Sequence, residues 1–184
     1  MNLARYLTED RIDLALDESF PREVAEWEQA HASGQDDQDD GEDDEEDTPA
    51  AAAPEYETLV LHMARLLETS SDVVNPTRLR REFVHRERRA PSLLGGGVAL
   101  PHVRTLQARR LIMAVAVSTV GLPVATPDDE PLRLVVALVG PPYDDKAYLQ
   151  VYKALGEKLL RPGFVEVVLG SRRAGEVLRA LAGP

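Results

Sequence analysis

The run Gly95-Gly96-Gly97-Val98-Ala99-Leu100-Pro101-His102-Val103-Arg104-Thr105 holds the residues best suited to chemistry in this chain. An imidazole exchanges a proton or attacks an electrophile near neutral pH. Pro101 fixes its own φ at about −65° and has no N–H to donate, so it sets the direction in which His102 leaves the preceding apolar run. Arg104 stands two residues beyond His102, on the same face if a strand continues through both. A nucleophilic histidine beside a cation suits the uptake of a phosphoryl group, a reaction that asks the protein mainly for positioning and positive charge. Gly95, Gly96 and Gly97 can adopt positive φ and present backbone N–H groups to phosphate oxygens. They fit equally well a turn that feeds the next strand.

The elements that must hold these residues can be read from periodicity. Leu3, Tyr6 and Leu7 suit a short helical turn, and the alternation of Ile12, Leu14 and Leu16 predicts a strand. Pro21 to Ala30, with Val24 and Trp27 three apart, reads as a short helix. From Glu55, a helix carries Leu59, Met63, Leu66 and Leu67 on one face. Asn75-Pro76 opens a second helix, with Leu79 and Phe83 turned inward. Val98–Leu100 reads as a strand, and the valine-rich runs Leu111–Thr119 and Leu132–Val139 read as buried strands. Asp144-Asp145 precede a helix running to about Leu160, where Pro162-Gly163 stop it. Phe164–Leu169 and Ala174–Leu181 read as two further helices. Helices interleaved with central apolar strands predict an α/β sandwich.

The segment from Arg86 to Thr105 resembles the active-site region of the phosphotransferase-system enzyme IIA family, of the fructose/mannitol and nitrogen-regulatory kind (EIIA type 2). The resemblance rests on Arg86-Glu87, Ser92, Gly95 and Gly97, Val98-Ala99-Leu100 and Pro101-His102. It extends to MNLARYLTEDRIDLAL at the start and to LRLVVALVGPPYDDKAYLQVYKALGEKLL later in the chain. It implies one domain over residues 1–184, a single α/β sandwich with a central mixed sheet of about five strands flanked by helices. An acidic insert expected to be disordered would interrupt the domain at about residues 33–55.

The same resemblance implies roles. His102 would accept a phosphoryl group from the phosphocarrier protein HPr of a bacterial phosphotransferase system. It would then pass the group to an enzyme IIB or hold it as a signal for a regulatory protein target. Arg86 matches the family's active-site arginine, a planar fork suited to two phosphate oxygens. From the residues alone it does not stand out from Arg80, Arg81, Arg88 and Arg89. Ser92 can donate to a phosphate or merely close the turn, and Arg104 is a second candidate cation. The family's second histidine, at the start of the helix after the late strand, corresponds here to Tyr148. A tyrosine can donate a hydrogen bond to phosphate but cannot become cationic; it also fits simple packing on a helix face. That departure supports an alternative, a degenerate module that keeps the fold and binds a protein partner without transfer. A third reading is a regulatory domain for a small molecule unrelated to phosphate.

Composition bounds the remaining possibilities. The formal net charge is −11, yet ten of the twelve residues from Asp36 to Asp47 are acidic, which leaves the rest of the chain close to neutral. A near-neutral body argues against a nucleic-acid groove. The acidic tract reads as a solvating loop or as an electrostatic lure for a basic partner. With no cysteine, disulfides, a Cys-ligated zinc and a catalytic thiol are excluded, and under the resemblance no fused enzyme IIB of the cysteine-phosphorylated kind is expected. His31, His62 and His85 show no metal-ligand spacing, and no cofactor is expected. His62 is expected to be half buried or exposed. No apolar run approaches the ~20 residues of a membrane span, and no secretory leader is apparent, so a cytoplasmic location is expected.

Overall fold

The computed structural model of the chain describes residues 1–22 and 54–183. The acidic tract and the helix expected after Pro21, with Val24 and Trp27, fall largely outside the described residues. Two 3₁₀ turns, Leu3–Tyr6 and Glu9–Arg11, open the chain. Strand β1 (Ile12–Asp13) follows and then helix α1, described over 16–22. Beyond residue 53 come α2 (Pro54–Glu68), α3 (Pro76–Arg89), β2 (Leu93–Gly95), β3 (Val98–Ala99), β4 (His102–Arg104), β5 (Ile112–Leu122) and β6 (Leu132–Gly140). Helices α4 (Asp145–Leu159), α5 (Phe164–Leu169) and α6 (Ala174–Ala182) complete the chain. Among the described residues no helix is long and apolar enough to cross a membrane.

The six strands form one mixed sheet in the order β1-β5-β6-β3-β2, with β4 also on β6. The α/β sandwich expected from the sequence is therefore present, with six strands for the expected five or so. β5 and β6 pair antiparallel at the centre. Both of their faces are covered, which is why they read as unbroken apolar runs. Ile112, Ala114 and Ala116 pack with Leu59, Met63 and Phe83 of α2 and α3. Met113, Val115 and Val117 pack with Val151, Leu155, Val177 and Leu181 of α4 and α6. The period of two in a strand thus divides the core into two layers.

The predicted strand over Ile12, Leu14 and Leu16 is corrected: pairing stops at Asp13, and Leu16 opens α1. Asp13 accepts the backbone N–H of Ala15 at 2.8 Å, a local bond that turns the chain out of the sheet. His62 is also corrected, being buried, with Nε2 2.9 Å from the Asp13 carboxylate. Burial resists ionisation of Asp13, but the bonds from His62, Ala15 and Ser19 outweigh it and hold the carboxyl below its ordinary range. This contact ties the N-terminal segment to α2, across the span that separates them in sequence.

β3 and β4 are one strand interrupted at Leu100-Pro101. Val98 pairs with Leu134 and His102 with Leu138, so the register against β6 is unchanged across the break. Pro101 has no N–H to give, yet its carbonyl still accepts from Leu138 N at 3.0 Å. Strand alternation sends Ala99 and Val103 into the layer of α2 and α3 and Val98 and Leu100 into that of α4 to α6. His102 and Arg104 share the parity of Leu100 and stand on the α4 side.

Candidate functional site

His102 sits at the start of β4, half buried, where the C-terminal end of α3, the β2 approach and one face of α4 converge. Its two ring nitrogens meet different surroundings. Nδ1 lies 2.9 Å from the Leu100 carbonyl and 3.2 Å from Ser92 Oγ. A carbonyl can only accept, so in the neutral imidazole the proton belongs on Nδ1 and the lone pair on Nε2. Nε2 faces Arg86, whose Nη2 lies 3.4 Å away. The other prong of the same guanidinium donates to the Ala90 carbonyl at 2.8 Å. That bond anchors Arg86 to the end of its own helix, where the macrodipole favours a cation. The α3 end also carries Arg88 and Arg89, but Arg88 is occupied by a bidentate pair with Glu57 at 2.7 and 2.8 Å.

The carboxylate next to Arg86 organises the floor. Glu87 is 1% exposed. Its Oε2 accepts from the Tyr56 hydroxyl at 2.7 Å and from Ser92 N at 2.9 Å. Its Oε1 accepts from Ser92 Oγ at 2.9 Å and from the backbone N of His102 at 3.2 Å. Four donors match the roughly four acceptor positions of a carboxylate, which is what a buried charge requires. Burial first, and the Glu87 charge second, push the Tyr56 phenol far above its ordinary value, so it remains a donor.

Helix α4 supplies an aromatic wall. The ring beside the imidazole is Tyr152, at 5.0 Å between centroids and tilted by 60°. Tyr148, one turn earlier, stacks on Tyr152 at 6.4 Å rather than touching His102 directly. Tyr148 is 5% exposed, and its hydroxyl has no hydrogen-bond partner. Burial, with a smaller contribution from Tyr152, raises its pKa to about 12, while the nearby cations Arg104 and Arg86 pull the other way. It therefore stays protonated and able to donate throughout the physiological range. Gly140 makes room for this ring: a Cβ there would lie 3.3 Å from Tyr148 Cδ2 and 2.5 Å from Leu111 Cδ2.

Arg104 shares the face of His102 but is engaged elsewhere. It pairs with Asp145, donates to the Pro142 carbonyl at 3.0 Å, and lies 5.8 Å over the Tyr148 ring. Ser92 is doubly placed, on Glu87 and beside Nδ1.

The structure does not bring the three glycines to the imidazole. Gly95 ends β2, and Gly96 and Gly97 form the turn to β3, all three at positive φ. Val98 beside Leu134 and His102 beside Leu138 are four residues apart along β6, about 13 Å at strand rise. The N–H of Gly96 is taken by the Asp128 carboxylate at 2.6 Å. A Cβ on Gly97 would meet the Pro131 carbonyl at 2.6 Å, whereas one on Gly96 would meet nothing within 4 Å. Both substitutions by alanine force a positive φ, a cost of about 1–2 kcal/mol. Gly97→Ala adds the clash and is expected to lose about 3 kcal/mol or more, against about 1 for Gly96→Ala. Urea unfolding of the two variants checks this; equal losses would contradict the tight turn.

Glu87 entered the sequence reading only as half of the Arg86-Glu87 pair, with no role of its own, and Tyr56 and Tyr152 were not singled out. Glu87 had a signal: Leu79, Phe83 and Glu87 recur every four residues on the inward face of α3, and a carboxylate on an apolar face needs partners. Tyr152 follows Tyr148 by one helical turn. Nothing in the sequence marked Tyr56.

The family model described as "phosphoenolpyruvate-dependent sugar phosphotransferase system, EIIA 2" matches residues 50–183. The chain belongs to this family. The enzyme IIA assignment covers every element from α2 to α6 and hence the whole site. No curated protein matches the chain in sequence. Solved structures carry the same fold. The nitrogen regulatory protein IIA-Ntr from Neisseria meningitidis aligns over 97% of this chain and 98% of its own, at 19% identity and a TM-score of 0.67. The mannitol IIA of Escherichia coli aligns over 72% of this chain and 91% of its own, at 21% identity and a TM-score of 0.57. A complex of enzyme IIA-mannitol with phosphorylated enzyme IIB-mannitol from Escherichia coli aligns over 73% of this chain and 90% of that chain, at 22% identity and a TM-score of 0.58. As an EIIA-type domain, the protein carries the fold of the phosphocarriers of the phosphotransferase system.

Proposed function

We propose that this enzyme IIA is an active histidine phosphocarrier in which His102 Nε2 accepts a phosphoryl group from phosphorylated HPr. The observation that carries the reading is an anchored guanidinium 3.4 Å from Nε2, on a ring whose Nδ1 is turned to the Leu100 carbonyl. The Nε2 lone pair forms the new P–N bond as the donor's P–N bond breaks, and the donor imidazole leaves with its electron pair. Arg86 is already in place to offset the incoming charge, so little reorganisation is needed. The unpartnered Tyr148 hydroxyl is a ready donor to a phosphoryl oxygen, and Arg104 becomes a second cation if it exchanges Asp145 for phosphate.

Onward transfer goes to a IIB-type acceptor or the phosphorylated state serves as a regulatory signal. The similar structure of a IIA–IIB complex supports the first, and the similarity to a nitrogen regulatory IIA supports the second. A cytoplasmic location fits either. The second reading, a module that keeps the fold but not the transfer, draws on the uncharged Tyr148 in the place of a second histidine. One experiment separates the two. Incubation with enzyme I, HPr and phosphoenolpyruvate labelled on phosphorus is expected to leave an acid-labile, base-stable phosphate on the protein. No label, alongside a control enzyme IIA that is labelled, would establish the inert module.

A further inference from the structure

The edge of the sheet beside His102 is closed by a side chain. β4 has β6 on one side, while β2 pairs only with β3 and stops short of His102. The His102 N–H that a further strand would accept is taken instead by Glu87 Oε1 at 3.2 Å. The same oxygen takes the Ser92 hydroxyl proton at 2.9 Å. Ser92 Oγ is thereby left to turn a lone pair, not a proton, toward His102 Nδ1 at 3.2 Å. Tyr56 fixes the far oxygen of the carboxylate at 2.7 Å and also accepts Ser92 N at 3.2 Å. Every bond in this chain therefore has one polarity: Tyr56 and Ser92 give protons to Glu87, and Nδ1 gives its proton to Ser92 and Leu100.

We propose that Glu87, acting through Ser92 and braced by Tyr56, is the positioning residue that denies Nδ1 a competing donor, so that the Leu100 carbonyl at 2.9 Å holds the Nδ1 proton in both the free and the phosphorylated protein. The proposal rests on His102 being the phosphoryl acceptor. Its consequence is chemical. Attack by Nε2 with Nδ1–H in place needs no proton removal, and the product is a ring bonded to phosphorus at Nε2 that still bears Nδ1–H. In onward transfer the Nε2–P bond breaks and its electron pair returns to Nε2, so a neutral imidazole leaves rather than an imidazolate. No proton moves in either direction. The charged and titratable groups around the ring are Arg86 and Glu87 from α3 and Tyr152 from α4, with Tyr148 and Arg104 behind Tyr152. Among these, Glu87 alone reaches the Nδ1 side, through Ser92.

Glu87→Gln replaces an obligate acceptor by a group that also donates, which lets the Ser92 hydroxyl turn its proton toward Nδ1. Two readouts test the idea. The tautomer of unphosphorylated His102, read from ¹H–¹⁵N couplings in protein labelled at histidine, is expected to be Nδ1–H in the wild type and mixed in Glu87→Gln. The rate of phosphoryl uptake from phosphorylated HPr is expected to fall about tenfold or more, on the scale of one lost hydrogen bond, with KM for the donor unchanged. Ser92→Ala leaves Nδ1 on the Leu100 carbonyl and is expected to keep the wild-type tautomer, and adding it to Glu87→Gln is expected to restore that tautomer, since no hydroxyl is then left to turn toward Nδ1. Tyr56→Phe is expected to give a smaller loss, about two- to threefold. A wild-type ring protonated on Nε2, an unchanged tautomer and rate in folded Glu87→Gln, or a mixed tautomer in Ser92→Ala would overturn the proposal. The tautomer needs no phosphoryl donor, so a protein that never takes up label, yet shows the tautomer shift, fails the phosphocarrier reading and not this one.

Discussion

His102→Ala is expected to abolish phosphoryl uptake completely while the protein remains folded. The imidazole is half buried, and the strand around it is held by backbone pairing with β6 and by Val103 in the core, neither of which the substitution removes. No other nucleophile occupies its place. Ser92 directs its proton to Glu87, and the Tyr148 phenol ionises only near pH 12. Exposed His85 on α3 is the control: His85→Ala should take up label like the wild type. Phosphate incorporation measured with circular dichroism on the same samples checks both halves of the expectation. Label that persists in folded His102→Ala would move the acceptor elsewhere.

Arg86→Ala is expected to slow uptake by about a hundred- to a thousandfold, the usual cost of removing one preorganised partner of a developing charge. The effect should fall on the rate more than on donor affinity, because the guanidinium faces the nitrogen that forms the new bond. Arg86→Lys should recover only part of the loss. The native fork holds the Ala90 carbonyl with one prong while offering the other to Nε2, and a lysine ammonium at the end of a flexible stem has no such fixed division. Quench-flow labelling by phosphorylated HPr measures the three rates. Near wild-type uptake in Arg86→Ala would mean that Arg104 or another cation carries the charge.

The sheet and helices were largely legible because their periodicities are strong. The central strands β5 and β6 are long and buried on both faces, and α3 and α4 have side-chain caps at Asn75 and Asp144. β2 and β4 were not predicted as separate strands, since two or three residues around Pro101 and the glycine turn carry too little alternation to read. The first strand ended early because a single side chain, Asp13, turned the backbone.

The site was legible along the chain and obscure across it. His102, Ser92 and Arg86 lie within one local motif, and they do meet. The glycines of the same motif do not join them, because a continuous strand carries the turn about 13 Å away. The aromatic neighbour of His102 is Tyr152 rather than Tyr148, a difference of one helical turn that only the packing of α4 fixes. Tyr56 comes from another helix, brought in by the packing of α2 on α3. Periodicity reports which face is buried, not which distant hydroxyl will face a given carboxylate.

The central claim is that the unprotonated Nε2 of His102, facing Arg86, is the atom that takes the phosphoryl group. Protein with ¹⁵N-labelled histidine, phosphorylated through HPr, tests it directly by nuclear magnetic resonance. The account predicts a single histidine with phosphorus coupled to Nε2 and a proton retained on Nδ1. Phosphorus on Nδ1, or on any residue other than His102, would contradict it.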